Sequence, residues 1–175
     1  VKCGVGCDTR AVLRAVGLDW PDLFRDRGST CSKGQPIRRH DYLTVDGNLI
    51  EQVTRHQDKA NGSKVWGVRH PSEGGGWKTG AAASDPILYN LPAVDACPLD
   101  HVWFTEGERD ADAVSRLRPE VATTVRNGAI RSTDLAPLRR FREVRVIVDN
   151  DEAGWKRGQL TVETITTLGI NVAVY

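Results

Sequence analysis

The 175 residues include no methionine, only three phenylalanines and three tyrosines, and almost no excess of charge of either sign. No apolar run is long enough to span a bilayer as a helix, and no signal-peptide pattern is present. A cytoplasmic protein without a membrane partner is therefore expected. The near balance of 24 Lys/Arg against 23 Asp/Glu gives a net charge of +1, so no global field announces a nucleic-acid partner. Cysteine is sparse and unevenly spaced. Four thiols without secretory features read as reduced thiols or metal ligands before disulfides. A chain that starts at Val1 and has no methionine reads as a piece excised from a longer polypeptide. Its length suits one domain, or one domain with a small appendage.

What is present centres on Val144 to Gly154. Val144, Val146, Ile147 and Val148 form a nearly continuous apolar run, as a buried parallel strand requires. Asp149 and Asp151 follow at its C-terminal end, where open α/β sheets bind ligands. Upstream, His101 to Thr105 is a second β-prone run, followed at once by Glu106-Gly107-Glu108 and a helix-like stretch from Arg109 to Leu117. If these strands are parallel neighbours, Glu106, Asp149 and Asp151 meet at one sheet edge. Asp149 and Asp151 alone would read as turn residues and a helix N-cap. The matching Glu106-Gly107 changes that balance. No Lys or Arg lies within either turn, and Arg109, Lys156 and Arg157 come only afterwards. Three uncompensated carboxylates would repel one another, and Mg²⁺ or Mn²⁺ is the expected remedy.

Thr105-Glu106-Gly107-Glu108 to Ala113, followed by Val148-Asp149-Asn150-Asp151 to Gly154, resembles the TOPRIM domain of primases, topoisomerases and some nucleases. The resemblance is to primase-type TOPRIM proteins of phages, plasmids and other mobile elements. It covers Val102 to Tyr175, and the upstream region more loosely. It implies an α/β fold: a parallel sheet flanked by helices, preceded by a small antiparallel β subdomain. It also implies acid–base chemistry and metal binding for Glu106, and metal ligation for Asp149 and Asp151. Pro86-Ile87-Leu88-Tyr89-Asn90-Leu91-Pro92 is similar to a segment that precedes TOPRIM in many such primases.

The rest of the chain divides into residues 1–30, 31–98 and 99–175. Cys3-Gly4-Val5-Gly6-Cys7 resembles the second half of a zinc ribbon with the first half missing. Cys3 and Cys7 are then a zinc half-site, to be completed only in a longer parent chain, or two unliganded thiols. Cys31 and His40 are badly spaced to complete it. Short helices are expected at Thr9–Val16 and Trp20–Phe24, and a linker at Arg27–Gln35. Tyr42–Val45 and Leu49–Thr54 flank the turn residues Asp46-Gly47-Asn48 and predict a hairpin, with Lys64–Arg69 as a third strand and Trp77 at a fourth.

Residues 31 to 80 hold eight Lys/Arg (Lys33, Arg38, Arg39, Arg55, Lys59, Lys64, Arg69, Lys78) against five Asp/Glu. Tyr42, Trp66 and Trp77 are interleaved with them. Such a pattern is either a stacking platform for single-stranded nucleic acid or an ordinary sheet with core aromatics and solvated charges. Lys64 and Arg69 are the positions marked for nucleic-acid or nucleotide contact, because the resemblance implies a basic subdomain facing template and nucleotide.

Downstream, strands are expected at Val102–Thr105, Val121–Val125, Val144–Val148 and Ile170–Tyr175, and helices at Asp110–Leu117, Asp134–Phe141 and Gly154–Leu168. Asn127, in the Arg126-Asn127-Gly128 turn, is a candidate phosphate contact, and Lys156 and Arg157 either meet phosphates or screen the acidic cluster. The reading is a DNA primase core: metal-dependent synthesis of RNA primers from ribonucleoside triphosphates on a single-stranded DNA template, with a helicase domain or protein as a further partner. A TOPRIM nuclease using the same metal and a catalytically silent nucleic-acid-binding module are the alternatives. Topoisomerase is not the expected reading, because nothing here resembles the tyrosine domain those enzymes need and the chain is short for one.

Overall fold

The computed structural model describes residues 36–57, 62–82, 87–117 and 119–175. Cys3, Cys7, Cys31, the two expected N-terminal helices and the linker lie outside the described residues. Two four-stranded sheets organise the rest. The first is antiparallel, in the order β1 (Arg38–Leu43), β2 (Leu49–Gln57), β3 (Lys64–Pro71), β4 (Trp77–Thr79). The expected hairpin is there: Thr44 and Asn48 close the turn, and Gly47 takes φ 82°, a conformation that favours glycine. The second sheet is parallel, in the order β6 (Ala122–Thr123), β5 (His101–Phe104), β7 (Glu143–Val146), β8 (Asn171–Val174).

Helices α1 (Leu91–Asp95), α2 (Glu108–Ser115) and α3 (Glu152–Thr166) flank the parallel sheet. The fold class expected from the sequence is the one observed. One face of the sheet supplies the core. Val102 and Phe104 on β5 alternate inward with Val144 and Val146 on β7, and all four are buried against Leu138, Ile165 and Ile170. Full burial of each such side chain contributes about 1.5–3 kcal/mol.

Three expectations change. The helix over Asp134–Phe141 is instead a single 3₁₀ stretch, Ala136–Arg140, preceded by another 3₁₀ turn at Ile130–Ser132. Asp134 caps the second turn by accepting the Ala136 N–H, and the Arg142 N–H is already committed to the Asp100 carbonyl, which starts β7. Leu135 and Leu138 still face inward. Leu117, expected on the sheet side of its helix, is 70% exposed, because α2 ends at Ser115. Tyr42 does not join a stacking platform. It is fully buried.

The segment Leu88–Asn90 ties the sheets together, as its place between them suggested. Leu88 makes an antiparallel bridge with Val125, the Tyr89 N–H donates to the Thr124 carbonyl, and Thr123 Oγ1 donates back to the Tyr89 carbonyl at 2.7 Å. The Tyr89 ring packs on Tyr42 (centroids 5.3 Å apart) and edge-on to His40 (5.8 Å). Its hydroxyl donates to Asp112 Oδ1 at 2.8 Å, and His40 Nδ1 lies 3.3 Å from Asp112 Oδ2.

Candidate active site at the C-terminal edge of the parallel sheet

Parallel pairing of β5 with β7 in the register Phe104↔Val146 aligns the two strand ends, so the turns carrying Glu106 and Asp149 leave the sheet at the same edge. The turn after β5 is fixed by buried threonines. The Thr105 N–H donates to the Thr123 carbonyl, Thr105 Oγ1 donates to the Gly107 carbonyl at 2.9 Å, and Thr124 Oγ1 donates to the Thr105 carbonyl at 2.7 Å. The turn after β7 is fixed by close packing. A Cβ on Gly154 would sit 2.4 Å from the Asp149 carbonyl oxygen, and one on Gly158 would sit 2.6 Å from Val148 Cγ2. Glycine at both positions lets the first turns of α3 lie directly on the strand end.

Within this edge the three carboxylates differ. Asp151 is the N-cap of α3: its Oδ1 accepts the Gly154 N–H at 2.7 Å. The capping role weighed from the sequence is thus present. Asp149 is exposed and makes no side-chain hydrogen bond or ion pair with the described residues. Glu106 is not uncompensated, contrary to the sequence reading. Arg157, from the second turn of α3, donates through Nη1 to Glu106 Oε1. Arg157 takes the screening role weighed for it and Lys156, but its particular partner was not legible along the chain, because the two residues are 51 apart and meet only when α3 lies across the end of β5. Lys156 pairs instead with Glu152, four residues back on the same helix, at 2.6 Å, and both are exposed.

Asn127 stands at the same sheet edge, beyond β6, with φ 52° and its side chain exposed. Lys64 and Arg69 belong to the other sheet and make no hydrogen bond or ion pair with the acidic edge among the described residues. Strand alternation and the regular β2–β3 register put them on opposite faces. Lys64 shares its face with Trp66, and Arg69 shares its face with Trp77 through the Pro71↔Trp77 pairing. The basic aromatic region is therefore two separate pairs rather than one platform. Arg55 lies over Trp66 at 5.2 Å, and Arg69 lies over Trp77 at 3.9 Å. Arg69 is further held by Gln52 Oε1 at 2.5 and 2.8 Å.

The antiparallel sheet reaches the acidic edge through two polar contacts that sequence reasoning missed. Tyr42 donates its hydroxyl to Glu108 Oε1 at 2.8 Å, at the start of α2. Burial, then the neighbouring Glu108 charge, pushes the Tyr42 phenol far above its ordinary value, so it remains a donor. Arg126, in the turn after β6, donates to Glu51 Oε2 at 2.5 Å. The Glu51 side chain is only 4% exposed, its Oε2 also accepts the Ala82 N–H at 3.2 Å, and its Oε1 has no hydrogen-bond partner. The only sequence signal for these contacts was a Tyr and a Glu inside β-prone runs, where polar side chains buried at a strand end are uncommon.

Among the described residues, no group of three or more His, Cys, Asp and Glu is already gathered as a metal cage. The donor set nonetheless suits a hard cation. Asp149 and one oxygen of Asp151 are all-oxygen donors at an exposed edge. Mg²⁺ is usually held by one or two carboxylates together with waters and substrate phosphates, not by a closed protein cage.

The class defined by these two sheets is the primase-type α/β fold. The chain is similar to the primase fragment of the bacteriophage T7 primase-helicase protein, at 17% identity and a TM-score of 0.51, over 78% of this chain and 51% of that one. It is similar at 18% identity and a TM-score of 0.52 to a DNA primase domain from Pseudomonas aeruginosa, over 71% of this chain and 37% of that one. A third similarity, at 19% identity and a TM-score of 0.52, covers 78% of this chain and 63% of a chain in a bacteriophage T7 assembly. There the lagging-strand DNA polymerase interacts with primase domains bound to an RNA/DNA hybrid and dTTP. The chain therefore spans between about a third and two thirds of the length of these structures. At such identities the likeness is one of fold. No family model and no curated protein matches the sequence. No helix among the described residues is long and apolar enough to cross a membrane.

Proposed function

We propose that this chain is the core of a DNA primase, joining ribonucleotides into a short RNA on a single-stranded DNA template. The observation that carries the reading is the delivery of Glu106, Asp149 and Asp151 to one edge by neighbouring parallel strands, within a fold shared with primase domains. Asp149 and Asp151 are the residues to hold Mg²⁺ or Mn²⁺, which when bound supplies positive charge for the triphosphate and its transition state. Glu106 is the candidate acid–base group, accepting the proton of the attacking hydroxyl at its carboxylate. Asn127, exposed at the same edge, is the candidate to donate its side-chain amide to a phosphate. The antiparallel sheet is joined to the elements around that edge by Tyr42–Glu108 and Glu51–Arg126. Arg69 and Trp77, and Lys64 with Trp66, are the candidate contacts to template or nucleotide on its two faces.

A helicase partner and a mobile-element origin go with this reading. So does a zinc site at Cys3 and Cys7, completed by residues of a longer parent chain. One observation favours a second reading, a catalytically silent nucleic-acid-binding module: Glu106 is engaged by Arg157.

The test is a paired assay on single-stranded DNA with Mg²⁺ or Mn²⁺, with and without ribonucleoside triphosphates, comparing the chain with Asp149→Ala. New short RNA that disappears in the variant supports the primase reading. DNA shortened in the absence of nucleotides makes the chain a nuclease. Absence of both products, with Mn²⁺ binding that does not depend on Asp149, refutes the catalytic site and leaves the binding module.

A further inference from the structure

Arg157 rises from a closely packed stretch of α3 and carries an exposed side chain. Its backbone neighbours Gly154 and Gly158 are pressed against Asp149 and Val148 so closely that neither position has room for a Cβ. The start of α3 is thereby immobilised on the end of β7. The Arg157 side chain is 58% exposed, whereas that of Glu106 is 18% exposed. The carboxylate is the fixed member of the pair and the guanidinium the movable one. Arg157 also lines two small cavities on either side of Glu106, about 20 and 30 Å³ in volume. One lies between the ends of β5 and β7, the other between the ends of β5 and β6. Each has room for about one water while the guanidinium stays where it is. The nearest other cation on this helix, Lys156, is tied to Glu152 and is no substitute.

We infer that Arg157 is a displaceable counter-ion: it neutralises Glu106 in the metal-free protein and exchanges that carboxylate for the polyphosphate of a nucleotide when a divalent cation is bound. This rests on the reading of the edge as a metal-dependent nucleotidyl-transfer site. The exchange is between like partners. A guanidinium pairs with a carboxylate or a phosphate through the same two-pronged N–H geometry, and both bonds are charge-assisted, so a polyphosphate can replace the carboxylate with no loss of geometry. A cation at Asp149 and Asp151 places positive charge beside Arg157 and competes with it for the Glu106 charge, and both effects loosen the ion pair. Arg157 thus serves two states of one site. It stabilises the empty edge against carboxylate repulsion, and it becomes a phosphate ligand once metal and nucleotide arrive.

Two readouts test this. The first is Mn²⁺ affinity without nucleotide, from the free Mn²⁺ signal in electron paramagnetic resonance, for wild type, R157A, R157K, E106Q and D149A. R157A is expected to bind Mn²⁺ about threefold to fivefold more tightly than wild type, the size of an exposed ion pair released from competition. In the E106Q background the same change should have no effect. The second readout is the anisotropy of fluorescently labelled ATP at saturating Mn²⁺. R157A should weaken that binding about tenfold, and R157K should retain part of it. Unchanged or weaker Mn²⁺ binding by R157A overturns the inference, as does unchanged ATP affinity. If wild type binds Mn²⁺ and D149A does not, the metal reading stands and only the Arg157 results judge the exchange. If neither wild type nor R157A binds Mn²⁺ while circular dichroism shows both folded, the metal reading and the inference fall together.

Discussion

Replacing Arg126 with methionine should destabilise the protein far more than a surface arginine would. Glu51 is almost completely buried, and one of its oxygens, Oε2, accepts both the Arg126 guanidinium at 2.5 Å and the Ala82 N–H at 3.2 Å. The other oxygen has no partner. Methionine fills much of the arginine stem's volume but supplies no charge and no donor. Glu51 would then be a buried carboxylate with one neutral hydrogen bond. Removing one member of a buried pair costs about 3–5 kcal/mol, most of it the cost of the charge left behind. Against a total stability of about 5–15 kcal/mol, that is about a fifth or more of what holds a domain folded. Urea unfolding at neutral pH, followed by tryptophan fluorescence, should show the midpoint falling with little change in slope.

The second half of the cycle separates charge from packing. Glu51→Gln in the Arg126→Met background removes the stranded charge and should restore about 2 kcal/mol or more. The two changes are therefore far from additive. A loss below about 1 kcal/mol for Arg126→Met, with an unchanged near-ultraviolet spectrum, would refute the reasoning. It would mean that water reaches Glu51 and that the pair does not anchor the sheets.

Three other expectations follow from single contacts. Gly154→Ala places a Cβ 2.4 Å from the Asp149 carbonyl oxygen, so it should cost about 1–3 kcal/mol in urea unfolding and weaken any Mn²⁺ binding that depends on Asp149. Tyr42→Phe leaves the ring in place and removes the bond to Glu108, for a loss of about 1–3 kcal/mol; equal midpoints for variant and wild type would disprove the bond's role. Glu120 accepts the Trp103 indole N–H at 2.6 Å, and His101 Nε2 lies 3.0 Å from the same oxygen. The bond from Trp103, then that from His101, holds the Glu120 carboxyl below its ordinary value. A lowered folded value means that the ionised form stabilises the fold above the ordinary carboxylate range, and that this contribution is lost as pH falls through the lowered value. The melting-temperature advantage of wild type over Glu120→Gln should therefore shrink on acidification through that range, and an advantage that grows on acidification would contradict the assignment.

The strands, the hairpin and the acidic edge were legible in the order of residues alone. Each rests on local chemistry: β-branched runs such as Val144 to Val148, the turn residues Asp46-Gly47, and carboxylates placed directly after apolar strands. Period and turn preference are properties of a few neighbouring residues, so they survive without tertiary context. The α/β class followed from the alternation of those elements. The helix expected over Asp134–Phe141 did not form, because its length was set by where Arg142 joins Asp100 and not by its own propensity. The tertiary structure alone decided which charges meet. Arg157 finds Glu106, Arg126 finds Glu51 and Tyr42 finds Glu108 across separations of 51, 75 and 66 residues. It likewise placed Trp66 and Trp77 on opposite faces, since a side chain's face depends on register with the neighbouring strand. Electrostatic pairing and burial depend on distance in space, and a linear pattern of charges carries no record of that distance until the sheets are packed.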